Sequence, residues 1–335
     1  MKFAKSISII ALILVVAAGA FAAGKQDANQ PAAKIKVIFA GTEAASTGQS
    51  RAMQEMADLL NASGRFDADV QVNGALSNDT DNMVTQARTG VPLVVPSDPG
   101  RLASQFNIPD MNILMAPYIL TDPKVLPKLP DTALFKEWQA QLERQGITFV
   151  ADMYNGFRSF YTIDPVRTVA DLRNLRIRGF GNNIGNALAK YLGFANIGIP
   201  WGEVVPGLQQ KTLDGCEVQV ATAFGSAVFD VVKNLAMTNH YMLQSSFVCS
   251  NGMLAAMPPA DRDFFLKTIR DTVQKYSGVI ESEEAPYYQQ MRDKGVVIVD
   301  VNLKEFQDAI APLYTNNDLG FSAGLKDRLF RELGL

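Results

Sequence analysis

Apolar and polar positions switch between two periods along the first hundred residues, and the switching predicts strands separated by helices. Residues 34–40 are apolar and partly alternating, as in a strand, whereas residues 51–61 carry apolar side chains at helical spacing. Two further strands are predicted over 69–73 and 91–97, with a helix over 79–89 between them. This βαβαβ order predicts that the first part of the chain forms a mainly parallel α/β sheet.

The rest of the chain continues the alternation and contains one unusually long helical segment. Helices are predicted over 134–145, 183–192, 203–211 and 303–313, and strands or extended segments over 147–154, 158–164, 175–178, from 215 onward and over 296–300. Residues 261 to about 294 predict a single helix of roughly 30 residues, weakly interrupted near Gly278 and Pro286. The layout is that of a two-lobed α/β protein with one long helix.

The N-terminus has the composition of a signal peptide. Two lysines precede an apolar run over 7–18, and Ala20-Phe21-Ala22 fits the small-residue cleavage rule. We expect a signal peptide over 1–22, cleaved near Ala22, then a disordered leader over 23–33, and export to the periplasm. An uncleaved N-terminal anchor is the alternative. No second apolar stretch approaches the ~20 residues of a membrane-spanning helix, so we expect the mature protein to be soluble.

Length and composition exclude some classes of protein. A chain of 335 residues suggests two domains, and a formal net charge of −3 gives no basic face for nucleic acid. One histidine and two cysteines leave little for a zinc site, and we expect neither metal nor cofactor. In an oxidising compartment Cys216 and Cys249 can form a disulfide, although two buried thiols are favoured.

The candidate chemistry centres on Arg178. This arginine ends the apolar strand Ile177-Arg178 beside a glycine-rich turn, an arrangement that can hold an anion. An ion pair with a protein carboxylate such as Glu203 is an equal alternative from the residues alone. His240 lacks a nucleophile motif beside it and is interpreted as a structural histidine bonded to backbone. We therefore expect no catalytic residues.

Four segments together resemble the solute-binding proteins of TRAP transporters, of the DctP type. They are Asp171-Leu-Arg-Asn-Leu-Arg-Ile-Arg178, the helix and turn from Glu203 to Glu217, Thr238-Asn239-His240 with the apolar stretch to Val248, and Met257-Pro-Pro-Ala-Asp-Arg262. The resemblance covers roughly residues 34 to 325 and depends on the order and spacing of these segments.

The resemblance implies a two-lobed periplasmic binding protein fold with hinge strands and one long helix spanning the lobes. Lobe I is then expected over 34–155 plus about 249–285, and lobe II over 156–248 plus about 286–335. The implied function is capture of a small organic acid (a hydroxy or keto acid, a sugar acid or a dicarboxylate) by cleft closure. The implied partners are the membrane subunits of a TRAP permease.

By motif position, Arg178 is the arginine that the family uses to bind the ligand carboxylate. Arg158, in Asn155-Gly156-Phe157-Arg158, matches a second arginine that often assists, although a surface or hinge role is equally open. Further ligand-binding candidates are the residues Glu43, Tyr154, Trp201, Phe224 and Asn182. Glu43 is alternatively a solvated loop acid, and Asn182 alternatively caps a helix.

The sequence departs from the family pattern at two positions near these candidates. Val218 stands where many members carry a ligand-contacting asparagine, and Val205 stands where a tyrosine is common. These changes leave the identity of the ligand open. Two other functions stay open as well: a periplasmic cleft enzyme, and a binding protein that serves a sensor or holds an apolar ligand.

Overall fold

The computed structural model describes residues 33–335, so the predicted signal peptide and nearly all of the predicted leader lie outside the described residues. The strands are β1 (Ile35–Ala40), β2 (Phe66–Gln71), β3 (Leu93–Ser97), β4 (Ile147–Thr162), β5 (Arg176–Arg178), β6 (Ala195–Asn196), β7 (Gly215–Gln219), β8 (Asn234–Ser250) and β9 (Val297–Val299). The helices are α1 (Gly48–Ala62), α2 (Thr80–Arg88), α3 (Pro99–Gln105), α4 (Ala133–Arg144), α5 (Val169–Leu172), α6 (Asn183–Leu192), α7 (Val204–Gln209), α8 (Val220–Gly225), α9 (Val228–Val231), α10 (Asn251–Ala256), α11 (Pro259–Asp293), α12 (Leu303–Ile310), α13 (Pro312–Thr315) and α14 (Leu325–Leu333).

One sheet contains all the strands of the described chain, and its order explains the two-part architecture. The order is β2-β1-β3-β8-β4-β7-β5-β6, with β9 beside β8. β1 is parallel to β2 and β3, and β5 is parallel to β6 and β7. The expected parallel pairing is therefore confirmed in these two strand sets. Between them, β8 and β4 pair antiparallel with each other and with β3 and β7, which the sequence pattern did not predict.

The two central strands run the whole way between the two strand sets. β4 has 16 residues and β8 has 17, so the segments predicted separately over 147–154 and 158–164 are one strand. Their pairing shifts register between Tyr154 and Phe157, where Gly156 adopts a φ of +100°. Such a φ favours glycine, and the shift bends the strand pair at mid-length.

The bend lies where the strand sets point towards each other. The last residue of β3, Ser97, pairs with Ser246 of β8, and the last residue of β7, Gln219, pairs with Arg158 of β4. Because β3 and β7 run in opposite directions along the same central strands, their carboxyl ends face a common region. Ligands of open α/β sheets bind at carboxyl ends of strands, so the topology alone marks this region as the candidate site.

The long helix α11 covers the central strands. Its 35 residues correspond to about 52 Å, and its bounds confirm the predicted helix, which continues through Pro286. The helix is joined to β4 by Ser277 Oγ, which accepts from the backbone N–H of Tyr154 at 3.1 Å, and to α1 by Glu283, which pairs with Arg51 at 2.5 Å. In the part of the chain that the structure describes, no helix is long and apolar enough to cross a membrane.

The segment from Lys34 to Leu335 forms one compact unit with a continuous sheet. The fold class is confirmed, whereas the lobe boundaries over 34–155 with 249–285 and 156–248 with 286–335 stay a prediction. Two predicted helices are corrected. Residue 203 ends a 3-10 turn (Trp201–Glu203) that precedes α7, and residues 303–313 divide at Ala311 because Pro312 begins α13.

Cys216 and Cys249 are buried free thiols, and burial raises the pKa of both to about 12.

A buried carboxyl on β4 makes the stability of the fold dependent on pH. Asp152 accepts from Ser246 Oγ at 2.9 Å through one oxygen, and its other oxygen has no partner among residues 33–335. Burial raises the pKa of Asp152 to about 7, against roughly 4 in an unfolded chain. The folded state therefore holds a proton that the unfolded state releases between these pH values.

We expect Asp152 to make the free energy of unfolding fall as pH rises from 5 to 8, while His240, whose pKa burial lowers, acts in the opposite direction in wild type and in Asp152→Asn alike. The slope of the unfolding free energy against pH should therefore be more negative in wild type than in Asp152→Asn. The contribution of Asp152 is complete below about pH 4 and is lost as pH rises through 7, at a slope of at most ~1.4 kcal/mol per pH unit. Urea unfolding at a series of pH values measures the slope. The control is Asp67→Asn, an exposed strand position that should keep the wild-type slope. Equal slopes in Asp152→Asn and wild type would contradict the assignment.

Candidate ligand-binding site

Two adjoining cavities occupy the region where the carboxyl ends of β3 and β7 face each other. The inner chamber has a volume of about 80 Å³ and lies over the bend in β4 and β8. The outer chamber has a volume of about 260 Å³ and lies towards the N-terminal ends of α2 and α6. Arg178, Arg101 and Trp201 line both chambers. Together the chambers fall near the lower end of the roughly 300–1,000 Å³ of small-molecule sites.

Arg178 is the cationic group of the site that lacks a counter-ion. It is 5% exposed, its Nε donates to the carbonyl of Ile199 at 3.2 Å, and no described residue accepts from its two terminal nitrogens. Burial and, to a smaller extent, the nearby charge of Arg158 lower the pKa of Arg178 to about 10. The guanidinium stays protonated at neutral pH, so the site holds a buried positive charge without a protein partner.

The guanidinium of Arg158 is bound by protein groups. Its Nε and one terminal nitrogen donate to the side chain and the carbonyl of Glu217, and Nη1 donates to Gln219 Oε1 at 3.3 Å. The guanidinium also lies 4.3 Å from the centroid of the Phe180 ring. Burial disfavours the charge of Glu217, but Arg158 and His240 more than offset burial and hold its pKa at about 2. Of the two arginines predicted from the sequence, the structure therefore leaves only Arg178 available to a ligand carboxylate.

His240 lies behind this ion pair and outside the chambers. Its Nδ1 is 2.9 Å from Thr238 Oγ1 and its Nε2 is 3.5 Å from Glu217 Oε2. The ring stacks on Phe160, and burial lowers its pKa. The prediction of backbone bonding is wrong in its detail, because side chains hold the ring.

Arg101, the third arginine of the site, is also paired with protein carboxylates. Its Nε is 3.0 Å from Asp98 Oδ2, and its Nη1 is 3.5 Å from Asp81 Oδ1. Asp98 additionally caps α3 by accepting from the N–H of Arg101. Of the three arginines that line the chambers, Arg178 is thus the one without a carboxylate partner in the described chain.

Glu43 is buried at the inner chamber and is not the solvated loop acid that was the alternative interpretation. It is 8% exposed, and its Oε1 accepts from Asn155 Nδ2 at 3.0 Å and from Gln219 Nε2 at 3.2 Å. Burial raises the pKa of Glu43. Its second oxygen, Oε2, has no partner within residues 33–335. Glu43 thus joins the loop after β1 to the end of β7 and keeps one acceptor free.

Two further polar groups of the inner chamber have no protein partner in the described chain. They are Ser97 Oγ and Gln244 Oε1. The amide of Gln244 is fixed in orientation because its Nε2 donates to the carbonyl of Leu114 at 2.8 Å. Since buried polar groups are normally satisfied, these atoms together with Glu43 Oε2 mark the positions where a ligand can form hydrogen bonds.

The remaining predicted residues divide between the site and the core. Trp201 lines both chambers, and its Nε1 donates to Ser226 Oγ at 3.0 Å. Asn182 lines the outer chamber, and its side chain also caps α6. The two alternatives for this residue, contact with the ligand and capping of the helix, therefore do not exclude each other. Tyr154 and Phe224 lie outside both chambers.

Tyr154 and Phe224 were predicted to line the site, and the structure places both outside the chambers. Their packing against α11 explains the difference. The hydroxyl of Tyr154 donates to Glu284 Oε1 at 2.6 Å, which turns the ring away from the chambers. Phe224 packs against Phe229 and Tyr287, with ring centroids 5.3 and 4.9 Å away.

Sequence reasoning missed most of the polar lining. Asn155, Gln219, Thr222, Gln244 and Ser245 all line the inner chamber, yet none is among the predicted site residues. Asn155 lies in a segment whose candidate was Arg158, and Gln244 and Ser245 lie in the segment from Thr238 to Val248, which gave no ligand-binding candidate. One signal was available: Gln219 and Gln244 are polar residues that directly follow apolar positions, Val218 and Leu243, in strand segments. A buried polar residue in an apolar strand is more informative than another aromatic. Residues 33–335 contain no group of three His, Cys, Asp or Glu placed to hold a metal ion.

Comparison with known proteins agrees with this geometry. The family described as bacterial extracellular solute-binding protein, family 7 (DctP) matches residues 39–318. The 2,3-diketo-L-gulonate-binding periplasmic protein YiaO of Escherichia coli K12 is 27% identical over 204 residues, which span 60% of this chain and 62% of YiaO, less than two thirds of its length. The C4-dicarboxylate-binding periplasmic protein DctP of Rhodobacter capsulatus is 24% identical over 265 residues, 78% of each chain.

A solved structure shares the fold. It is a TRAP periplasmic solute-binding protein of Actinobacillus succinogenes 130Z with bound L-galactonate. The TM-score is 0.84 at 24% identity, with 89% of this chain and 99% of that chain covered. Two strand sets joined by long central strands, with a cavity between their carboxyl ends, define a two-lobed solute-binding protein. The chain belongs to the DctP family of bacterial extracellular solute-binding proteins (family 7), as its resemblance predicted, and relatives of that name are periplasmic.

Opposite stability effects are expected for the two buried arginines. Glu217→Gln leaves Arg158 buried without its counter-ion and should lower the free energy of unfolding by about 3–5 kcal/mol. Arg178→Gln removes a charge that has no protein partner, so the ligand-free protein should keep or gain stability. Urea unfolding of both variants without ligand measures the difference. An equal loss in the two variants would mean that Arg178 also has a protein counter-ion.

Proposed function

We propose that this protein captures a small organic acid in the periplasm and delivers it to the membrane subunits of a TRAP permease. The single observation that carries the proposal is the buried guanidinium of Arg178, whose terminal nitrogens have no acceptor among the described residues. A buried charge without a partner is costly, and an anionic ligand removes that cost. The names of the E. coli and R. capsulatus relatives, a sugar-acid binder and a dicarboxylate binder, support an acid as the ligand.

The carboxylate of the ligand is proposed to bind Arg178 through its terminal nitrogens. The planar fork of a guanidinium matches the two oxygens of a carboxylate. The rings of Trp201 and Phe180 lie 5.2 and 5.9 Å from the guanidinium carbon, and they limit access of water from two sides. In such an environment the contact is stronger than in bulk water.

The proposed mechanism is a shift of population towards a closed form. A ligand held by Arg178 at the end of β5 reaches Glu43, which follows β1, and Ser97, which ends β3, in the same cavity. It therefore bridges both strand sets, and it stabilises the form in which they are closest. The bend near Gly156 in β4 is the proposed place of the hinge. We propose delivery of the ligand unchanged, with no reaction at the site.

The lining of the inner chamber favours this proposal over the apolar-ligand alternative. Most of the residues that line it carry amides, hydroxyls or charged groups, including Asn155, Gln219, Thr222 and Ser245. An apolar ligand would leave Glu43 Oε2, Ser97 Oγ and Gln244 Oε1, which have no partner among the described residues, unsatisfied at a cost of about 1–3 kcal/mol each. The histidine that would serve an enzyme, His240, is buried outside both chambers.

We expect an acid to stabilise the mature protein against heat, and Arg178→Gln to abolish the effect. The protein is first unfolded and refolded to remove bound ligand, then screened by thermal shift against organic acids and matched neutral analogues. A ligand at about 100 times its dissociation constant adds ~2.7 kcal/mol of stability. Loss of a buried charge partner costs about 3–5 kcal/mol, so binding should weaken by about two to three orders of magnitude or more.

Arg176→Gln is the matched control. Arg176 lies on the same strand but pairs with Asp214 at 2.6 Å and is half-exposed outside the chambers. This variant should bind the same acid as tightly as wild type. Stabilisation by an acid that survives Arg178→Gln, or the absence of stabilisation by any acid, would overturn the proposed carboxylate site.

A further inference from the structure

Three arginines line the two chambers, and only one of them has no carboxylate partner in the described chain. Only that arginine is available to an anionic ligand. Arg158 is held by Glu217, and Arg101 is held by Asp98 and Asp81. Arg178 is the remaining positive charge. By charge alone, the site has one position for a carboxylate.

A second carboxylate on the ligand would meet acidic or neutral groups wherever it lay. In the inner chamber it would approach Glu43, whose Oε2 is an unpartnered acceptor. In the outer chamber it would approach Asp79 and Asp81, which line that space with Arg101 already paired. A like charge next to a buried carboxylate is unfavourable, and apart from Arg178 no cation without a carboxylate partner lines either chamber in the described chain.

The unpartnered groups of the inner chamber instead require hydrogen-bond donors. Glu43 Oε2 and Gln244 Oε1 accept, and Ser97 Oγ both accepts and donates. A hydroxyl donates one hydrogen bond and accepts others, so a chain of hydroxyls satisfies all three groups. Val218 and Leu243, which line the same chamber, offer apolar contact to the C–H groups of such a chain.

We infer that the site selects a polyhydroxylated acid with one carboxylate and discriminates against dicarboxylates, and that Glu43 is the residue that discriminates. This inference rests on the proposed function, because it assumes that Arg178 binds the carboxylate of the ligand. It narrows the ligand class from organic acids in general to aldonic-type acids. Glu43 then binds the hydroxylated end of the ligand.

Pairs of sugar acids that differ at one carbon test the inference. Each aldonate of four to six carbons is compared with the aldarate of the same carbon number and configuration, in which the terminal CH₂OH is a second carboxylate. Isothermal titration of the refolded, ligand-free protein gives the two dissociation constants. The best aldonate should bind at least about 10-fold more tightly than its aldarate.

Glu43→Gln should reduce this ratio about 5-fold or more, chiefly by improving the binding of the aldarate. The glutamine keeps the shape of the side chain and removes its charge. Glu203→Gln is the matched control, because Glu203 is exposed beside Trp201 and lines neither chamber. It should leave the ratio as in wild type.

The possible outcomes separate the inference from the proposed function. Aldarates that bind wild type as tightly as aldonates would overturn the inference, while acid binding through Arg178 would stand. A wild-type preference for aldonates that Glu43→Gln leaves unchanged would overturn the role of Glu43. If no acid binds at all, the proposed function fails and the inference fails with it. The wild-type comparison decides the ligand class even if Glu43→Gln does not fold.

Discussion

The buried ion pair between Arg158 and Glu217 determines the electrostatics of the whole site. It joins β4 to β7 at the point where the central strands bend, and it uses the one fully buried carboxylate of β7. Because Glu217 is paired with Arg158, Arg178 has no carboxylate within salt-bridge distance among residues 33–335, and the charge of Arg158 disfavours that of Arg178 more than Glu217 favours it. This is why we propose that the partner of Arg178 is a ligand.

The ion pair between Arg158 and Glu217 gives the two buried arginines different roles. Arg158 contributes to folding, whereas Arg178 is proposed to contribute to binding. Arg158, Glu217 and Tyr241 form a network in which the tyrosine hydroxyl donates to the carboxylate at 3.1 Å. This network is complete without ligand, so it belongs to the stability of the fold. Arg178 is expected to lower the stability of the ligand-free protein, because its buried charge has no carboxylate partner in the described chain. Under the proposed function, a bound anion offsets that cost.

The sequence predicted the general architecture and the position of Arg178 because both depend on local patterns. Strand and helix periods are local, and the Ile177-Arg178 strand end beside a glycine-rich turn is readable from adjacent residues. The partner of Arg158 was not predictable in the same way. Glu217 lies 59 residues away, and only the antiparallel register of β4 with β7 brings them together. Cross-strand register is set by the whole sheet, and no residue pattern within one strand determines it.

The incorrect placement of Tyr154 has the same origin. Successive residues of a strand point to opposite faces, and the choice of face decides which of Tyr154 and Asn155 reaches the cavity. The sequence favours the aromatic residue, whereas α11 supplies Glu284 on the face of Tyr154 and leaves Asn155 on the cavity side.

This choice has a chemical consequence. Asn155 Nδ2 donates to Glu43, Gln49 and Ser245, so it fixes Oε1 of Glu43 and leaves Oε2 free. The cavity thus presents an oriented acceptor opposite a single free cation. That arrangement complements a molecule with one anionic end and one hydroxylated end.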